Sequence, residues 1–365
     1  MIKEGKIGVQ EAISLIAITI TVKVFFTSPA YTAKVTGTAS WYMTLISATT
    51  ASLGFMILYL LLKRFPGKDL VQVFELSMGR IVGFIFSILV CIVLFIDATL
   101  LVREFAEVMK VYVLPLSPPS SIIGVFLAMV IVVCFLGLES IARFSRLFGY
   151  FLVGGFLIII VLATNKYDYH YLFPFWGYGF DKTLTHGVSR SSFYGEVIIL
   201  GVIAAAMQGT AHIKKAGLAA LIVSGLIISL GLSTTMMAFD YSTAQEITSR
   251  MYDLTRIIHL GGFFERLDPI FLFTWNIGTL VGVSTLFYAS LSIYCKTFRI
   301  QDMRPIIIPK AIILFTVSMI PQDLTSVSAY VHILREYGWI IFYCLPLAAL
   351  ITAMVRRKKG GAVDA

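Results

Sequence analysis

Four ionisable side chains fall inside long apolar runs: Glu11, Lys23, Asp97 and Glu196. A charge at the centre of a membrane helix costs about 2.5–3.5 kcal/mol on insertion scales, so such residues are read by default as ligand, ion or proton sites. Lys23, in TVKVFF, and Glu196, in SFYGEVII, each lie near the midpoint of their run. An ammonium and a carboxylate within a few ångströms of each other recover much of that cost, more so where the dielectric is low. The expectation is that the two meet beside a small polar cavity. Two plainer readings stand next to it: an ion pair that only fixes helix packing, and a Lys23 that snorkels through a water defect without Glu196. Glu11 is close enough to the start of its run to reach the interface. Asp97 either lines a cavity or bonds a neighbouring helix.

The elements that must position these groups follow from composition. The 365 residues are 58% hydrophobic and only 13% charged, whereas a soluble chain carries about 25% charged residues. Apolar runs of membrane-spanning length recur from end to end. A bilayer admits only helices and closed barrels, and these runs are too long for barrel strands. The fold class expected is an all-α polytopic membrane protein, one transmembrane domain over residues 1–365 with a basic tail at 356–365. Ten helices are expected, at 9–29, 40–63, 80–104, 119–138, 141–164, 187–207, 215–239, 267–294, 304–320 and 337–355. No A-x-A-like cleavage site follows the first run, so helix one is expected to be retained.

Orientation follows from the basic residues. Of 29 Lys and Arg, eighteen fall on one side of these helices and ten on the other, the latter including Arg103, Arg190, Arg250, Arg266 and Arg335; Lys23 is the remaining one. The richer side, which includes Lys310 and both termini, is expected to be cytoplasmic. This accounts for the net charge of +9 without a nucleic-acid partner. The stretch 165–187 divides the helices five and five, giving halves of opposite topology over about 9–164 and 187–355, as an inverted repeat requires. The stretch 241–268 places Met251, Leu254, Ile257 and Ile258 on one helical face. It reads either as a helix on the membrane surface or as a loop packed on the helix ends.

The surroundings of Lys23 and Glu196 are polar for a membrane interior. SRSSFYGE (189–196) sets three serines, Tyr194 and Gly195 before the glutamate, a poor continuous helix. An interrupted helix exposes backbone donors and acceptors that hold polar ligands. Helix one adds Thr21 and Thr27 before Pro29, and helix eight adds Trp275 and Asn276. Trp275 reads equally as an interfacial anchor. Gly278 and Gly282 form a G-x-x-x-G that permits close helix packing. The candidate ligand-binding residues are thus Lys23, Glu196, Thr21, Thr27, Asp97, Tyr194, Gly195, Trp275 and Asn276, between helices one, three, six and eight.

Other chemistries find little support. No Walker loop, dinucleotide G-x-G-x-x-G, H-E-x-x-H or G-x-S-x-G is present, so no enzyme, cofactor or metal is expected. Cys91, Cys134, Cys295 and Cys344 lie singly within apolar runs, without metal or disulfide spacing.

The chain resembles the B subunits of spore-germination receptors, within the amino acid–polyamine–organocation transporter superfamily. The likeness rests on short motifs in order along nearly the whole length. VFFTSPAYTAKVTGTASWY carries Pro29 and the helix-two Trp41, followed by LSMGRIVG, GLESIARFSRLF and LFPFWGYGF. SFYGEVIIL places Glu196 on the family's glutamate. FFERLDPIFLFTW carries the pair Glu265 and Arg266 with Trp275 beyond, and IPQDLTSVSAY closes the series. The resemblance implies a LeuT-like fold with helices one and six interrupted around a central site. It implies a nutrient ligand, usually an amino acid, partner A and C subunits, and the bacterial cell membrane or spore inner membrane. Where the family often has a G-x-G in helix one, this chain reads Val22-Lys23-Val24. Two alternatives stay open: a proton-coupled amino-acid permease of the same fold, and a membrane scaffold that binds no ligand.

Overall fold

A computed structural model describes residues 5–258 and 267–359, and the described chain is helical. Its first helix does not run through. α1 (Val9–Thr21) gives way to a 3₁₀ turn over Val22–Phe25, Phe26 is extended (φ −105°, ψ −149°), and α2 (Ser28–Thr36) resumes beyond it. The cause is local. Val22 and Val24 are β-branched and lose rotamer freedom in a helix. Pro29, with no amide hydrogen, suits only a first helical turn, and it lies in the first turn of α2.

α3 (Ser40–Arg64), α4 (Leu70–Met78), α5 (Arg80–Tyr112), α6 (Pro119–Leu136) and α7 (Leu138–Leu162) follow. The second break comes next. α8 (Phe180–Ser189) runs into nine residues of 3₁₀ helix, Arg190–Ile198, before the short α9 (Ile199–Val202). Runs of 3₁₀ helix beyond three or four residues are uncommon and often mark a hinge or strain. Gly195 allows the close packing here, because a Cβ at this position would lie 2.1 Å from the Phe342 ring. The chain continues through α10 (Thr210–Ala238), α11 (Tyr241–Glu246), α12 (Arg250–Arg256), α13 (Asp268–Thr297), α14 (Arg304–Ser318), α15 (Leu324–Tyr337) and α16 (Leu345–Val355), with a π turn over Ile340–Cys344 between the last two.

Among the described residues, seven helical runs are long and apolar enough to cross a bilayer. The others of the expected ten fall short for visible reasons. Helices one and six are broken into pieces, and α14 has only 15 residues. The last span differs from expectation: it is the run Leu324–Val355, not 337–355. Counting Arg335 among the basic residues outside the spans leaves the first half of this run outside too, whereas Arg335 is buried. The third helix likewise continues past residue 104 to Tyr112, carrying Arg103, Glu104 and Glu107 inward.

α13 packs against α5, α7 and α1. Gly278 and Gly282 seat helix one, since a Cβ on either would meet Val22 at 3.5 or 3.3 Å. The described part of 241–268 combines the two readings: it is helical over α11 and α12, and it is packed on the protein. Met251, Leu254 and Ile258 join the core, Ser249 Oγ donates to the Phe25 carbonyl at 2.7 Å, and Arg250 Nη2 donates to the Pro29 carbonyl at 2.6 Å. This lid gives a partner to the Phe25 carbonyl, at the end of the 3₁₀ turn where the break leaves carbonyls without helical partners, and adds a second donor to the Pro29 carbonyl, which also accepts from Thr32 Oγ1 at 2.8 Å. Beside it Asp240 caps α11, and hydrogen bonds from Ser242 and Thr243 hold its carboxyl down at about 2.

Several basic residues assigned to loops are core residues. Arg103, Arg190, Arg250 and Arg335 are at most 3% exposed, and Lys310 is buried at 9%. Glu265 and Arg266 lie outside the described residues.

Candidate ligand-binding centre at the helix breaks

The two breaks face each other, and charge joins them. Lys23 Nζ, from the 3₁₀ turn of helix one, donates to Glu196 Oε1 at 2.6 Å and to the Phe193 carbonyl in the 3₁₀ run of helix six. The ammonium also lies 4.3 Å from the Phe193 ring centroid. Arg335 of α15 continues the chain of charges. Its Nη1 lies 3.0 Å from Glu196 Oε1 and 3.2 Å from Asp97 Oδ2, while Nη2 donates to Asp97 Oδ1. The order is Lys23, Glu196, Arg335, Asp97, alternating in sign, and every member is buried. Two cations balance two carboxylates, as a low-dielectric interior demands. Glu196 Oε2 and Arg335 Nε have no hydrogen-bond partner among the described residues.

A third carboxylate lies close by. Glu104 Oε1 accepts the Thr27 amide at 3.0 Å and the Thr27 hydroxyl, at the start of α2. It is buried and makes no ion pair among the described residues.

The contact between Lys23 and Glu196 removes the reading in which Lys23 snorkels alone. Asp97 joins them through Arg335. Thr27 reaches Glu104 instead, and Gly195 packs on Phe342. Tyr194 is buried and lines a cavity of about 20 Å³ with Ser28, Thr32, Thr44, Ser47 and Arg190. That cavity adjoins the centre through Phe193, but Lys23 and Glu196 do not line it. Trp275 is no interfacial anchor: it is 1% exposed and packs edge-on to Phe26 at 5.4 Å, beside Phe105 and Phe271. Its indole N–H has no partner among the described residues. Asn276 donates to Leu272 in its own helix at 2.6 Å. Thr21 faces a different cavity of about 280 Å³, which runs from Gln10 to Phe25 and Gly278 between α1, α7 and α10. Glu11, in the first turn of α1, pairs with Arg146 at 2.5 Å.

Sequence reasoning missed Arg335 and Glu104. Glu104 follows Asp97 by seven residues, two helical turns, which puts both on one face of α5. Arg335 follows Ser328 and His332 at the same kind of helical spacing on α15. Both signals were present and were masked by charge at the margins of apolar runs.

Two broken helices packed around a buried charge network define a transporter-type membrane fold. Two solved structures share it: the nucleobase–cation symporter Mhp1, in a closed conformation with bromovinylhydantoin bound (TM-score 0.66, 14% identity, 93% of this chain and 78% of that one), and a substrate-bound, outward-open Na⁺-coupled sialic acid symporter (TM-score 0.63, 10% identity, 96% and 89%). The fold is LeuT-like. Residues 6–327 match the family described as spore germination protein, and the chain belongs to that family. Its relatives include spore germination protein KB of Bacillus subtilis (strain 168), 22% identical over 340 residues and 88% of each chain, and protein B2 of the same organism, 20% identical over 361 residues and 98% of each. Protein GerLB of Bacillus cereus is 32% identical over 183 residues, 48% of each chain. The chain is a multi-pass membrane protein.

Proposed function

We propose that this chain is the nutrient-sensing subunit of a spore germinant receptor. It takes a small ligand, an amino acid, at a mid-membrane site bounded by helices one, three, six and eight. The centre also draws on α15, through Arg335. The observation that carries the reading is the ion pair of Lys23 and Glu196 across two facing helix breaks. Glu196 would accept the ligand's cationic group, and Lys23 would face its anionic group. Germination proteins among the relatives favour sensing. The spore inner membrane and A- and C-type partner subunits go with that reading, and cytoplasmic termini rest on the excess of Lys and Arg on their side of the helices. The equivalent placing of the breaks, Val22–Phe25 and Arg190–Ile198, supports two repeats over about 9–164 and 187–355.

A ligand signals only through its differential affinity for two conformations. Thermal unfolding of the purified chain against a panel of amino acids tests binding. Saturable stabilisation by one or a few supports the site, and no stabilisation by any of them counts against it.

One observation favours the permease reading. The 280 Å³ cavity leads from the N-terminal part of helix one to its break, as a release path would. Proton-driven accumulation of labelled amino acid in proteoliposomes of this chain alone would favour transport over sensing.

A further inference from the structure

We propose that Lys23 and Glu104 are built-in occupants of the two polar subsites that the helix breaks create, and that an amino acid binds by displacing both. The inference rests on the amino-acid reading above. In broken-helix sites the N-terminus of a half-helix faces anionic groups of the ligand, and unwound carbonyls hold cations. Here both positions are filled from within the chain. The start of the nine-residue α2 gives its Thr27 amide and hydroxyl to the Glu104 carboxylate. The Phe193 carbonyl, in the 3₁₀ run of helix six, accepts the Lys23 ammonium.

Charge pairing alone does not explain Glu104. Lys23 and Arg335 already balance Asp97 and Glu196 one to one. Glu104 is the surplus carboxylate, 3% exposed, and its contacts are those of the helix end. An α-amino acid offers one replacement for each occupant. Its ammonium takes the Phe193 carbonyl and Glu196, while its carboxylate takes the Thr27 amide and hydroxyl. The released Lys23, whose ammonium has three donors, then donates both to that carboxylate and to the displaced Glu104, which has given up its bonds to Thr27. Every buried charge in the exchange thereby keeps a partner. Glu104 thereby acts as an internal competitor that sets the ligand concentration needed for a response. A compound with only one of the two charged groups displaces one occupant and binds more weakly.

The test is chemical rescue of the full chain. Lys23→Ala and Glu104→Ala are purified, and thermal unfolding is followed in methylammonium chloride, sodium acetate and sodium chloride. Lys23→Ala is expected to regain stability saturably with methylammonium and not with acetate. Glu104→Ala is expected to show the reverse, and the parent chain, with both occupants in place, to respond to each salt only at much higher concentration. Equal responses of both variants to both salts, or no response, overturn the proposal. The salts probe the subsites without any amino acid, so this failure is distinct from failure of the amino-acid screen. Should either alanine variant not fold, Glu104→Gln keeps the shape and removes the charge. Spores carrying it should respond at several-fold lower amino-acid concentration. An unchanged or higher requirement overturns the proposal, since an ordinary binding residue would weaken the response when neutralised.

Discussion

Lys23 Nζ lies 2.6 Å from Glu196 Oε1, across 173 positions of sequence and between the two breaks of the fold. Both residues lie in 3₁₀ segments, where i→i+3 bonds replace the α-helical ladder: the Lys23 carbonyl accepts from the Phe26 amide and the Glu196 carbonyl from the Ile199 amide. The pair thus ties together the two elements whose relative movement would open the centre.

Removing one partner of a buried pair strands the other, at a cost of about 3–5 kcal/mol. Lys23→Glu and Glu196→Lys are each expected to lower the unfolding temperature sharply and to abolish the germination response. The double swap should recover part of the loss. Recovery stays incomplete because a lysine at position 196 would face Arg335, 3.0 Å from the present carboxylate. A double-mutant cycle reads the coupling, and zero coupling would count against the contact.

Arg335 forks onto both Asp97 oxygens and also reaches Glu196. A lysine has one charged nitrogen and lacks that planar fork. Arg335→Lys should therefore fail to restore the thermal stability lost in Arg335→Gln. Full restoration by lysine would reduce the role of Arg335 to charge alone.

The lid over helix one rests on two donors, Ser249 to Phe25 and Arg250 to Pro29. Ser249→Ala leaves a buried carbonyl short of a partner, an expected loss of about 1–3 kcal/mol. Hydrogen exchange should rise around residues 22–29 in this variant. Exchange unchanged there would show that the lid does not brace the break.

Gly195 and Phe342 occupy one space. Gly195→Ala is expected to destabilise, because its Cβ would lie 2.1 Å from the ring. Phe342→Leu should relieve part of that strain, so the double variant unfolds at a higher temperature than Gly195→Ala alone. If it unfolds lower, the two changes act separately.

Much of this arrangement could be read from residue types. Apolar run length gave most helices, and Pro29, the valines and SRSSFYGE marked where two of them break. The opposite charges at matching places gave the Lys23–Glu196 pair. Arg335 and Glu104 were harder, because hydropathy reads a charge near the margin of an apolar run as the end of a helix. Only the neighbours supplied by the fold turn those charges inward. Arg335 finds two carboxylates, and Glu104 finds the free end of α2. Trp275 was ambiguous for a related reason: an aromatic near a helix end suits an interface or a core, and Phe26 and Phe105 decide for the core.

The most direct measurement is a structure of the full chain bound to whichever amino acid stabilises it. The account predicts the ligand's ammonium on Glu196 and the Phe193 carbonyl, with Lys23 withdrawn from both. A ligand seated elsewhere, such as the cavity lined by Gln10 and Tyr150, with Lys23 still on Glu196, would contradict it.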